Sequence, residues 1–200
     1  KVITTGILAA LLVGAVGGLL AGCGAVVSVV QGAPQAVDVL AVSTPEIAGI
    51  RGIAEGRDSM SPNRHQDIAN IDELLDKIEQ VREVTGKPVG IKTAIGGDRF
   101  MLELTAAVAR RGLQAAPDFL TIDGGEGGSG AAPQALADHM ALAIDEALPL
   151  IVDALLASGL KERIRIIAAG QLVTPARVAW ALSAGADFVN TARGFMFSLG

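Results

Sequence analysis

The 200-residue chain has no tyrosine, one tryptophan, five phenylalanines and a single cysteine. So few aromatic rings cannot build the stacking platform on which single-stranded nucleic acid is held. Positive charge is scarce as well. Sixteen lysines and arginines stand against 21 aspartates and glutamates, so the formal charge is −5 and no basic face is left for a phosphate backbone. Nucleic acid is thereby excluded as a partner. One cysteine, Cys23, allows neither an internal disulfide nor a cysteine-based zinc cluster, and no metal site is expected. The only histidines are His65 and His139. No H-E-x-x-H motif and no Ser-His-Asp spacing accompanies them, so hydrolase chemistry has no support.

What is abundant is apolar and small. Half of the residues are hydrophobic and 25 are glycine. A mean hydropathy of +0.48 belongs to a folded chain with a core, not to a disordered one. From Val2 to Val37 no side chain is charged; Lys1 precedes this run and Asp38 follows it. Such a stretch is long enough to span a bilayer as a helix. Lys1, the apolar run and Leu20-Ala21-Gly22-Cys23 also match a lipoprotein signal, in which Cys23 would be lipidated. An uncleaved anchor and a buried helix of the fold are the alternatives. Residues 1–24 are therefore expected to be a separate apolar signal or anchor segment that associates the protein with a membrane, and residues 25–200 the folded domain.

Beyond that segment strands and helices alternate. Ala25–Val30 is short and β-branched, and Pro34, Pro45 and Pro62 mark a linker with a short helical stretch near residues 45–50. Ile71, Leu74, Leu75, Ile78 and Val81 recur at helical spacing. Asn70 and Glu73 offer a capping box, and Gly86 with Pro88 ends this helix. Strands are expected at 89–93, 119–122, 164–168 and 187–190, with helical stretches at 100–111, 134–158 and 175–184. This pattern is that of a parallel sheet covered by helices. Right-handed crossovers put all strand C-terminal ends on one edge, where such folds carry their site.

Lys92 stands at one such end. A lysine on a buried strand is either snorkelling and salt-bridged, or a cation facing an anionic ligand or an electron-rich ring. Asp123 opens the run Gly124-Gly125-Glu126-Gly127-Gly128-Ser129-Gly130, with five glycines in seven residues. These let the main chain approach a ligand or change conformation, and Asp123 and Glu126 place carboxylates near the reacting part of a substrate. Gly170-Gln171 and Arg193-Gly194 each lie between a strand and a helix start. Free N–H groups and a helix dipole can bind phosphate there, and Arg193 adds a fork of donors. Two successive strand ends of this kind match the phosphate site that barrels build after their last two strands. His65, in the loop before the Ile71 helix, is either a structural residue or a general acid–base, and His139 reads as structural.

Ser61-Pro62-Asn63-Arg64-His65-Gln66-Asp67-Ile68, Gly90-Ile91-Lys92, the run Ile122–Pro133, Arg165–Gln171 and Asn190–Phe195, in this order, resemble the FMN-binding domain of the glutamate synthase family. The form is that of its stand-alone FMN-binding glutamate-synthase-like proteins. The resemblance covers residues 44–200 and implies the C-terminal part of a (β/α)8 TIM-type barrel, here preceded by an apolar N-terminal helix. It implies FMN as cofactor and reduction of 2-iminoglutarate, made from 2-oxoglutarate and ammonia, to L-glutamate. By position, Lys92 would lie near the flavin ring and the substrate carboxylates, with Asp123 and Glu126 as further catalytic residues. Gly124, Gly125, Gly127 and Gly128 would line the site, and Gly170, Gln171, Arg193 and Gly194 would hold the phosphate. The family's Gln-Gly-Ala-Lys-Pro-Gly stretch is here Gln31-Gly32-Ala33-Pro34, without the lysine. Inosine monophosphate dehydrogenase, another phosphate barrel, needs a catalytic-loop cysteine, whereas Cys23 lies in the apolar run. An incomplete barrel is expected to self-associate or to take strands from a partner chain. A catalytically inactive, membrane-associated flavin- or phosphate-binding module is the alternative function.

Overall fold

The computed structural model describes residues 25–28, 45–51, 65, 67–126 and 141–199. The segment 1–24, where an apolar helix was expected, lies outside them. Among the described residues no helix is long and apolar enough to cross a membrane.

Five strands form one sheet: β1 (Ala25–Ser28), β2 (Val89–Thr93), β3 (Phe119–Asp123), β4 (Arg165–Ala169) and β5 (Phe188–Asn190). All neighbours are parallel and the spatial order is the order in sequence, β1-β2-β3-β4-β5. A doubly wound sheet reverses its strand order at a switch point; this one does not. Repeated right-handed crossovers then put every helix on the same side, an α/β arrangement consistent with part of a TIM-type barrel.

The helices are α1 (Pro45–Arg51), α2 (Ile71–Thr85), α3 (Arg99–Arg111), α4 (Ile144–Ala157), α5 (Pro175–Ser183) and α6 (Ala192–Leu199). The start of α2 is built as its sequence predicts. Asn70 Oδ1 accepts the Glu73 N–H at 2.9 Å, and Glu73 reaches back to the Ala69 N–H at 2.6 Å. Gly86 ends the helix at φ +62, a conformation other residues avoid. Thr174 caps α5 in the same way, its hydroxyl accepting the Arg177 N–H.

Alternation along the strands sets the two faces. Val89, Ile91, Leu120, Ile122, Ile166 and Ala168 are buried against the apolar stripes of α2, α3 and α4 in one continuous core. The opposite face carries Gly90, Lys92, Phe119, Thr121, Asp123, Ile167 and Phe188. Register places Lys92, Thr121, Ile167 and Phe188 in one row across four strands. Among the described residues no helix covers this face, and Phe188 is 50% exposed. Gly90 is obligatory here, because a Cβ would run into both the ring and the carbonyl oxygen of Phe119.

The N-terminal edge of the sheet is held by two matching aspartates, each just before a strand. Asp118 accepts the Val89 N–H at 2.7 Å and two contacts from Arg82 at 3.0 and 3.2 Å, and pairs with Arg163 at 2.9 Å. Asp187 accepts the Ile166 N–H at 2.8 Å and pairs with Lys161 at 2.8 Å and Arg165 at 3.1 Å. Burial pushes both carboxyls up. The N–H donors and the cations outweigh it and hold both below the ordinary range.

Candidate functional site

At the C-terminal edge the strand ends bring several of the expected residues together. β2 and β3 are adjacent, so Lys92 and Asp123, on the same open face, meet across the strand boundary. Lys92 Nζ lies 2.7 Å from Asp123 Oδ2. The pair is only half-buried: the side chains are 39% and 26% exposed. This lysine is thus both paired and accessible, and each group retains capacity for another hydrogen-bonding partner.

Glu126 takes a different direction. Its Oε1 accepts the Ile144 N–H at 2.7 Å, at the start of α4, and its backbone carbonyl accepts from Gln171 Nε2 at 2.6 Å. Oε2 is buried with no hydrogen-bond donor among the described residues. The carboxylate fills the space left by the missing side chains of Gly124 and Gly170. A Cβ on Gly124 would overlap it, and one on Gly170 would come within 3.1 Å of Oε2. Gly125 has no room for a side chain either, because the Ala141 carbonyl lies against it. These three glycines are required by packing within the chain itself. Gly127 and Gly128 lie outside the described residues.

The last strand end is less filled. Thr191, between β5 and α6, has a buried hydroxyl with no partner among the described residues. A Cβ on Gly194 would stand 2.7 Å from that oxygen, so its absence leaves space at the first turn of α6. Arg193 is in the same turn, and its side chain lies outside the described residues. Beside these residues an open apolar groove of about 450 Å³ runs between α5 and α6, lined by Val173, Val178, Leu182 and Phe195 among others. Thr191 was not singled out from the sequence. A threonine between a strand and a helix reads as an ordinary N-cap, and only its orphaned hydroxyl distinguishes it.

Among the described residues Gln171 is the one non-glycine residue with a positive φ (+45). Such a conformation costs about 1 kcal/mol and persists where its surroundings demand it; here it directs the amide onto Glu126. His65, the other candidate acid–base, is 3.8 Å from Asp67, which pairs with Lys77 at 3.1 Å. That hydrogen bond from Lys77 holds the Asp67 carboxyl below its usual range. His65 thus belongs to a small surface cluster before α2. Among the described residues no group of three metal-ligating side chains occurs.

The family model described as "conserved region in glutamate synthase" matches residues 11–200. The glutamate synthase large subunit-like protein YerD of Bacillus subtilis is 46% identical over 155 residues, covering 78% of this chain and 29% of that protein. An archaeal-type glutamate synthase (NADPH) of Thermotoga is 34% identical over 159 residues, and an archaeal glutamate synthase (NADPH) of Methanocaldococcus jannaschii 35% over 159. Both matches cover 78% of this chain and 30% of the relative. The chain thus spans about three tenths of the length of these relatives.

Proposed function

Because the chain belongs to the glutamate synthase family, we propose that it forms the flavin-facing C-terminal part of a barrel that reduces 2-iminoglutarate, made from 2-oxoglutarate and ammonia, to L-glutamate. The observation that carries this reading is Lys92, a cation fixed by Asp123 at a strand's C-terminal end on the face the helices leave open. A cation there suits both an electron-rich flavin ring and the carboxylates of a dicarboxylic substrate.

The residues present fit FMN. An orphaned buried hydroxyl at Thr191, the N–H groups opening α6 and the space at Gly194 suit a phosphate, with Arg193 in the same turn. Gly170 and Gln171, also expected at the phosphate, meet Glu126: Gly170 leaves room for its carboxylate and Gln171 Nε2 donates to its carbonyl, so Thr191, Arg193 and Gly194 are the residues proposed to hold the phosphate. When bound, FMN would supply the hydride for the carbon–nitrogen double bond. Lys92 then orients a substrate carboxylate and offsets its charge. Asp123 Oδ2 keeps the Lys92 ammonium at the β2–β3 boundary, so that little order has to be gained on binding. The uncovered sheet face and the exposed Phe188, Phe195, Met196 and Phe197 support completion of the barrel by a second copy or a partner chain.

The test is the visible absorbance spectrum of the purified chain before and after gel filtration with FMN, followed by turnover with 2-oxoglutarate and ammonium. Flavin retained with turnover is the expected result. Flavin retained without turnover identifies the second reading, a catalytically inactive flavin- or phosphate-binding module. A folded chain that retains no FMN overturns both.

A further inference from the structure

We infer that Glu126 is a positioning residue: its carboxylate caps α4 across the intervening loop and, by fixing the path of residues 124–126, holds Asp123 against Lys92. The inference rests on the reading of Lys92 and Asp123 as site residues. It gives Glu126, expected among the catalytic residues near the reacting part of a substrate, a structural route to the site through Asp123.

Three observations carry it. First, α4 has no local cap. Ala143 stands at its N-cap position and offers no side-chain acceptor. Glu126, 18 residues earlier in the chain, accepts the Ile144 N–H instead, and its charge is well placed at the positive end of the helix dipole. Second, room is reserved for this carboxylate: Gly124 and Gly170 would collide with it or crowd it if they carried side chains, and Gly170 adopts φ +128 to pass it. Third, the same short segment is tied to both neighbouring strand ends. Gly124 N–H donates to Ala169 O at 2.9 Å, Gly125 N–H to Leu142 O at 2.9 Å, and Gln171 Nε2 to Glu126 O at 2.6 Å. Leu142 N–H in turn donates to Ile95 O, beyond the end of β2, at 2.8 Å. Glu126 therefore joins the ends of β2, β3 and β4. Asp123, three residues before it, leaves β3 in the direction this knot allows.

The test reads the Lys92–Asp123 pair directly and needs neither FMN nor turnover. Lys92 is acetylated competitively with acetic anhydride at several pH values and its labelling is quantified by peptide mass spectrometry. Wild type, Glu126→Gln, Glu126→Ala and Asp123→Asn are compared. An amine held in an ion pair is less available to the reagent, so loss of the paired carboxylate raises Lys92 labelling. Asp123→Asn sets the scale, about a two- to fivefold rise for an exposed pair. Glu126→Ala is expected to approach that value. Glu126→Gln, which retains an acceptor for Ile144 N–H, is expected to stay near wild type in labelling. Should Glu126→Ala fail to fold, Glu126→Asp, whose shorter side chain falls short of Ile144, takes its place. Wild-type labelling in a folded variant without the cap overturns the inference. A chain that binds no FMN would refute the proposed function while leaving the labelling comparison intact.

Discussion

Removing the Asp118 carboxylate should cost more than any surface charge in this chain, and the structure says why. In Asp118→Ala the Val89 N–H, at the buried start of β2, loses its only acceptor. An orphaned buried donor costs about 1–3 kcal/mol. Two part-buried ion pairs, with Arg82 and Arg163, disappear as well. Their loss is limited because Arg82 still donates to Gln114 O and Ala116 O, and Arg163 to Ala116 O. About 1 kcal/mol for the pairs is reasonable, so the whole change is about 2–4 kcal/mol. For a chain of this size that lowers the melting temperature by roughly 5–15 °C. Asp118→Asn keeps an oxygen for Val89 and should lose about half as much. Thermal and urea unfolding of the three proteins decide the matter. A melting temperature of Asp118→Ala indistinguishable from wild type, or an Asn variant that falls as far as the Ala variant, would refute the reasoning.

The same carboxylates set a pH dependence. Asp118 and Asp187 have folded-state values below the ordinary carboxyl range. Their contribution is therefore complete above the unfolded value, about pH 4, and is lost as pH falls through the folded value. Wild type should lose urea resistance between pH 5 and pH 3 faster than Asp118→Ala, in which part of that contribution is already gone. Gly90→Ala should destabilise by about 1–3 kcal/mol, because the ring and carbonyl of Phe119 cannot both move aside. Gly97→Ala, with nothing within 4 Å of the new carbon, should be neutral in the same unfolding assay. Thr191→Val should leave stability unchanged or slightly raised, since it removes an orphaned polar group. It should nevertheless weaken FMN retention on gel filtration; unchanged retention would remove Thr191 from the phosphate site.

Local rules made most of the architecture legible. The α2 helix was expected from its apolar spacing, its Asn70–Glu73 box and its closing Gly86, and it spans Ile71–Thr85 with both ends built that way. Strands expected at 89–93, 119–122, 164–168 and 187–190 appear within a residue of those bounds at each end. The helical stretch expected at 175–184 is α5, which runs from Pro175 to Ser183. Of the helical stretch expected at 134–158, residues 134–140 lie outside the described residues, 141–143 are not helical, and α4 begins at Ile144. Ala143 carries no capping side chain, so the local sequence contains no start signal there; the cap comes from Glu126.

That long-range partner also explains why the site was only partly legible. Lys92 and Asp123 were each expected at a strand's C-terminal end, and the adjacency of β2 and β3 in the sheet is what brings them together. Glu126 could not be separated from Asp123 by sequence, for both are carboxylates flanking glycines, and nothing local distinguishes a carboxylate facing the open side from one turned to a helix start. The two edges of the sheet differ in how completely their polar groups are satisfied. Asp118 and Asp187, at the N-terminal edge, each hold a backbone N–H and two cations. At the C-terminal edge Asp123 has one cation, one oxygen of Glu126 has no donor and the Thr191 hydroxyl has no partner among the described residues. Native folds leave few buried polar groups unpaired, and those they leave tend to have a use. The unsatisfied edge is where a ligand rich in donors and acceptors would gain most, and it is the edge at which Lys92 offers its charge.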